Sequence, residues 1–244
     1  HFQGHPSMTD EELDAADIVR FGDTLANSEE YQEADEWIGS VINQLDLTRS
    51  YSIREYLHLL GRELAEIAHE DGIMTSAYKA RIPVFCPDLV GSEMAIGIAR
   101  ARFEKKSQLS FDSTQDTMDL MQITQKTRNS GIITLGSTAS QNMLNLTELS
   151  SYITRTTVRG HKYAISITTD SVPLDMRTPS FGGSHTALFG KLHRGATTAF
   201  VPADPSIALP MIITALSQTA AKFMKGRKRP SFSFAGKEMS IDVP

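Results

Sequence analysis

The segment that most constrains the fold is Gly131-Ile132-Ile133-Thr134-Leu135-Gly136, a short apolar run closed by glycine and preceded by an amphipathic stretch at 114–128. An apolar run this short, bounded by turn residues, predicts a strand rather than a helix. The same reading applies to Ile82-Pro83-Val84-Phe85-Cys86, closed by Pro87, and to Tyr163 to Thr168 and Thr198 to Val201. Between these runs the apolar residues fall at helical steps. Residues 30–46 carry Ala34, Trp37, Ile38, Val41, Ile42 and Leu45 three or four apart, and residues 52–68 repeat this with Ile53, Tyr56, Leu57, Leu60, Leu64 and Ile67. A further helix is expected from Ser92. Another is expected over Ile207 to Phe223, with Ser206 as its N-cap and Pro210 in its first turn. Strands alternating with helices imply an α/β fold, a Rossmann-like and mostly parallel sheet with helices on both faces, with ligands at the carboxyl ends of the strands.

Composition narrows the function. A net charge of −5 leaves no basic footprint for nucleic acid, and the uninterrupted apolar runs are too short for a membrane span, so neither partner is expected. The single cysteine, Cys86, cannot form an intrachain disulfide, and Met8 is followed by acidic Thr9-Asp10-Glu11-Glu12 rather than a basic and apolar leader. A cytoplasmic location is expected. Scattered histidines and one cysteine give no metal-ligand spacing, so no metal is expected. Residues 1–7 read as a tag remnant, 8–19 as an acidic lead-in, 20–224 as the α/β domain and 225–244 as a C-terminal tail. The cluster Lys225, Arg227, Lys228 and Arg229 reads as solvated. The Pro-, Ser- and Gly-rich stretch from Asp170 to His185 is long for a connection and is a candidate active-site loop.

Several phrases, in order, resemble the deoxyhypusine synthase family. They are Arg20-Phe21-Gly22-Asp23, the Tyr31 to Trp37 spacing, Leu60-Gly61-Arg62-Glu63, Ile82 to Pro87 followed by Gly91-Ser92, and the strand at 131–136. Phe189-Gly190-Lys191-Leu192 resembles the family's Trp-Gly-Lys-Ile, and Ala203-Asp204-Pro205-Ser206 resembles its Ala-Asp-x-Ser element. The match runs from about Arg20 to Phe223. Family members also carry an N-terminal half with further cofactor-binding turns, which this match leaves out.

The resemblance implies NAD-dependent oxidation of spermidine, an imine on an enzyme lysine, and transfer of the aminobutyl group to a lysine of translation initiation factor 5A. Lys191 occupies the nucleophile position, and Gly136, Thr169, Ala203 and Asp204 match positions that contact NAD. Other positions depart: Phe189 replaces the pocket tryptophan, while His185 and Ala95 stand where carboxylates hold the polyamine. Ser137 and Thr138 replace glycines of the phosphate-side turn. Gln141 and Asn142 replace the lysine and the histidine base. Neither amide can accept and return a proton near neutral pH, a loss of about 10²- to 10⁴-fold in rate. Lys191 therefore reads as vestigial. Asp204 reads equally well as a helix-dipole partner and as a cofactor contact, Ser137-Thr138 as caps or an anion seat, and His185 as a solvent-facing loop residue.

The resemblance thus leads to a non-catalytic regulatory subunit that associates with a catalytic deoxyhypusine synthase paralogue in a heterodimer or heterotetramer. It would activate that partner and touch the acceptor factor only indirectly. The alternative is an active transferase using Lys191. A third reading is a protein that holds NAD only as a structural ligand.

Overall fold

The computed structural model describes residues 7–21, 24–92, 94–105, 108–136, 160–169 and 192–244. The chain divides into two compact units, His1–Tyr78 with Asp88–Asp112, and Lys79–Pro87 with Ser113–Pro244.

In the first unit the acidic lead-in is a short helix, α1 (Asp10–Asp14), because Thr9 and Glu12 form a reciprocal cap. The Thr9 hydroxyl accepts from the Glu12 amide, and the Thr9 amide donates to the Glu12 carboxylate at 2.8 Å. An antiparallel pair follows, β1 (Ile18–Phe21) and β2 (Thr24–Asn27). Asn27 then caps α2 (Ser28–Ile42), its side-chain oxygen accepting from the amides of Glu29 and Glu30. Helix α2 stops four residues short of the expected 46. The amides of Gln44 and Leu45 instead bond the carbonyls of Val41 and Ile42 in a tightened last turn.

Ser52 caps α3 (Ile53–Ile67), whose inner face buries Ile53, Tyr56, Leu57 and Leu60, while Ile67 at its far end is exposed. Helix α4 (Ile73–Ala80), which the periodicity did not predict, starts beside α3, and a Cβ on Gly61 would meet the Met74 carbonyl at 2.9 Å. Helix α5 (Met94–Lys105) lies against α2 through Gly97, where a Cβ would meet the Asp35 carbonyl at 2.9 Å. A short parallel pair, β3 (Ser50–Tyr51) and β4 (Ser110–Phe111), brings Phe111 edge-on to Tyr56 at 5.4 Å between ring centres.

The second unit contains the larger sheet of the described residues. Helix α6 (Ser113–Lys126) precedes β5 (Gly131–Leu135), and β5, β6 (His161–Ile167) and β7 (Leu192–Val201) lie in that order, all parallel. Ile132, Ala164 and Leu192 pack together beneath it. Strand β5 is half-buried. As the edge strand of this described sheet it turns Ile132 and Thr134 inward and leaves Ile133 and Leu135 exposed. Strands β6 and β7 start earlier than predicted, and a bulge between His161 and Tyr163 absorbs the extra residues of β7.

Two other expectations are corrected. Ile82 to Cys86 is not a strand but an irregular segment, and Pro83 within it and Pro87 after it lack the N–H a ladder needs. The C-terminal segment is more than a tail, since β8 (Ser231–Ala235) and β9 (Glu238–Asp242) form an antiparallel hairpin around a left-handed Gly236. Its Phe232/Phe234 and Met239/Ile241 alternation is the period-two pattern of a half-buried hairpin. Gln122 on α6 holds β9: its amide nitrogen donates to the Met239 carbonyl and its oxygen accepts from the Ile241 amide, both at 3.2 Å. Lys126 Nζ adds a bond to the Ile241 carbonyl at 3.0 Å.

Candidate functional site at the carboxyl edge of the sheet

Leu135, Ile167 and Val201 are register partners, so the three parallel strands end level and the residues after them gather at one edge. Gly136 follows β5 with φ 72°, and its amide donates to the Ile167 carbonyl at 2.9 Å, turning the chain back across β6. Among the described residues a Cβ there would meet nothing within 4 Å, so those residues leave the backbone at this turn uncovered. Thr168 and Thr169 follow β6, the first buried with its amide bonded to the Val201 carbonyl, the second exposed. After β7, the Ala203 amide returns to the Val201 carbonyl at 3.0 Å and delivers the chain to Asp204.

Asp204 is the N-cap of α7 (Pro205–Met224), where the sequence placed Ser206. Its Oδ1 accepts from the Ser206 amide at 2.8 Å and from the Ser206 hydroxyl at 2.7 Å. Aspartate wins the capping role because Pro205 can take the first helical position, where its fixed φ suits a helix and its missing N–H costs nothing. The same shift moves Pro210 out of the first turn. As the sixth residue of α7 it leaves the Ser206 carbonyl without an intrahelical donor. The Ser206 hydroxyl and amide together hold the Asp204 carboxyl below the usual carboxylate range.

All four residues proposed to face a dinucleotide, Gly136, Thr169, Ala203 and Asp204, therefore lie at this edge. Among the described residues there, a turn glycine with open backbone, a carboxylate and the first turn of a helix match what a ribose–phosphate ligand needs. Lys191, His185, Phe189, Ser137, Thr138, Gln141 and Asn142 lie outside the described residues. Ala95 is the second residue of α5, in the first unit. Leu192, next after Lys191, begins β7 at the other end of the sheet, paired with His161. At that end the Ser130 hydroxyl and His161 Nδ1 are 2.8 Å apart, and burial lowers the His161 pKa. Sequence reasoning missed the Ser206 clamp on Asp204, although an Asp-Pro-Ser sequence before an apolar helix carries the signal.

The family model described as deoxyhypusine synthase matches residues 1–216. The Methanosarcina mazei protein named "Probable deoxyhypusine synthase 2" is 33% identical over 98% of this chain and 68% of its own length. A "Deoxyhypusine synthase-like protein" of Coxiella burnetii is 31% identical over 70% of this chain and 49% of its own. An Entamoeba histolytica crystal structure carrying the deoxyhypusine synthase name superposes with a TM-score of 0.54 and 19% identity. It covers 79% of this chain and 56% of that one, and at this identity the likeness speaks for the fold. On the family model and the Methanosarcina relative, this chain belongs to the deoxyhypusine synthase family.

Proposed function

We propose that this chain is a non-catalytic regulatory subunit of a deoxyhypusine synthase complex. It associates with a catalytic paralogue and raises that partner's transfer of the aminobutyl group of spermidine to translation initiation factor 5A. One observation carries the reading. At the carboxyl edge the described residues that could handle a proton reduce to Asp204, and Ser206 holds that carboxylate in its ionised, weakly basic form as a helix cap. The edge thus keeps groups suited to binding while offering little for acid–base work. The substitutions Ala95 and His185 at family positions for carboxylates, Gln141 at that of the lysine and Asn142 at that of the base point the same way.

NAD fits this edge, with Gly136 giving close backbone approach and Asp204 available to ribose hydroxyls. When bound in the complex it supplies the hydride acceptor for spermidine. The residues of this chain would then bind and orient rather than transfer protons. The active-transferase reading rests on Lys191 and is separated by trapping. Incubation with spermidine, NAD and borohydride, followed by peptide mass analysis, leaves Lys191 unmodified if the chain is regulatory. An aminobutyl adduct on Lys191 overturns that reading.

A further inference from the structure

Helix α7 is long and apolar enough by length and composition to cross a membrane, contrary to the expectation from uninterrupted runs, because alanine, serine and threonine carry the apolar stretch between its larger residues. Its exposed side chains meet no cover among the described residues. The C-terminal hairpin, by contrast, closes on α6 around a cleft of about 340 Å³, a volume in the range of small-molecule sites.

Gln115, Met118, Asp119 and Gln122 recur at three- and four-residue steps, which puts them on one face of α6, and that face is one wall of the cleft. Strand β9 supplies the other wall with Met239, which is buried, and Glu238, which is exposed. The two walls are fixed to each other by the paired bonds of Gln122 to the β9 backbone and by Lys126 Nζ on the Ile241 carbonyl. Asp119 is only 2% exposed, and Gln115 Nε2 donates to its Oδ1 at 3.0 Å, which orients the carboxylate.

The chemistry of the lining selects a class of ligand. It holds two carboxylates, Asp119 and Glu238, and no lysine, arginine or histidine, so an anion is repelled. A neutral apolar molecule would strip water from the carboxylates and give them no hydrogen bond in return. A divalent cation such as calcium needs about six or more oxygen donors, whereas much of this wall is thioether from Met118, Met121 and Met239. An aliphatic ammonium suits every part. Its head donates charge-assisted hydrogen bonds to carboxylates, and its methylene chain lies on polarizable thioethers that adapt to a flexible guest. We propose that the cleft between α6 and the C-terminal hairpin is a binding site for an aliphatic amine, held at its charged end by Asp119 and Glu238 and along its chain by the methionines. These carboxylates stand at other positions than 95 and 185, where the resemblance places those that hold a polyamine. The site is independent of the regulatory reading, since none of its residues lies at the carboxyl edge of the sheet.

Titration calorimetry of the full chain with putrescine tests the proposal, with butanediol as the uncharged control of the same chain length. The expected result is saturable binding of the diamine, none of the diol, and slowed hydrogen exchange in the peptide covering 238–242 at saturation. Asp119→Asn and Glu238→Gln each weaken binding by about tenfold or more. Met118→Lys puts a competing cation at an exposed position of the wall and abolishes binding. Because Glu238 and Met118 are exposed, their variants melt at the wild-type temperature, so a loss of binding in them is not a loss of folding. No binding of putrescine at millimolar concentration, binding that Glu238→Gln and Met118→Lys leave unchanged, or equal binding of the diol each overturn the proposal.

Discussion

Three glycines of the parallel sheet respond differently to the same added methyl group, and the differences follow from their geometry. Gly136 sits at φ 72°, where an L side chain is strained, yet among the described residues a Cβ there meets no atom within 4 Å. Gly136→Ala therefore carries only the left-handed backbone cost, about 1–2 kcal/mol. For a chain of 244 residues, that is roughly 2–8 °C in melting temperature at about 2–4 °C per kcal/mol. Gly136→Asn recovers part of it, since asparagine tolerates this conformation. Gly160, at φ 68°, adds a clash to the strain, because a Cβ would run into the Leu192 and His193 backbone. Alanine there costs more than at Gly136. Gly131 is extended in β5, and its Cβ would make ordinary contact with Tyr163 at 3.4 Å, so alanine is neutral or stabilising by up to about 1 kcal/mol. Urea unfolding of the three variants, read as midpoint shifts at constant slope, should order them Gly131→Ala, Gly136→Ala, Gly160→Ala by increasing loss. Equal midpoints for Gly136→Ala and wild type would refute the left-handed turn at the end of β5 and with it the open backbone of the proposed cofactor edge.

Other expectations can be checked independently. Gln122→Leu removes both bonds from α6 to β9 and costs about 2 kcal/mol, with hydrogen exchange at Met239 and Ile241 accelerated before that of β6. Arg49 grips the mostly buried Glu55 through two bonds at 2.8 and 3.0 Å, and Arg49→Ala lowers unfolding free energy by about 2 kcal/mol, less at high salt. Burial depresses the His161 pKa, so its stabilising contribution is complete above the unfolded value of about 6.5 and is lost as pH falls through the lower folded value. A His161→Gln chain should lose less stability than wild type between about pH 6.5 and 5 in urea titrations.

Much of the α/β order was legible because periodicity reports burial directly. The helices at α2, α3 and α6 and the strands at β5, β6 and β7 lie where apolar patterning placed them, with ends shifted, and α5 lies where a helix was expected from Ser92. Capping is decided by competition among neighbours, which is why Asp204 displaced Ser206 and moved Pro210 into the helix interior. The segment at Ile82 failed because apolar content and length favour a strand, whereas a ladder also needs amide donors that Pro83 and Pro87 do not supply. The hairpin at 231–242 was hidden beside a basic cluster that reads as solvated, although Phe232, Phe234, Met239 and Ile241 carried the alternation. For the candidate site, the positions at the carboxyl edge followed from the resemblance, and the level strand ends explain why residues far apart in sequence meet there. What one-dimensional reading could not supply was the state of Asp204, which depends on where the Ser206 hydroxyl turns.

The most direct test of the regulatory account is deoxyhypusine formation with spermidine, NAD and translation initiation factor 5A. It compares this chain alone, an active family member from the same source alone, and the two after co-purification by size exclusion. The account predicts negligible turnover from this chain, co-elution with its partner, and a large rate gain in the mixture. Turnover from this chain alone at the rate of an ordinary synthase would contradict it.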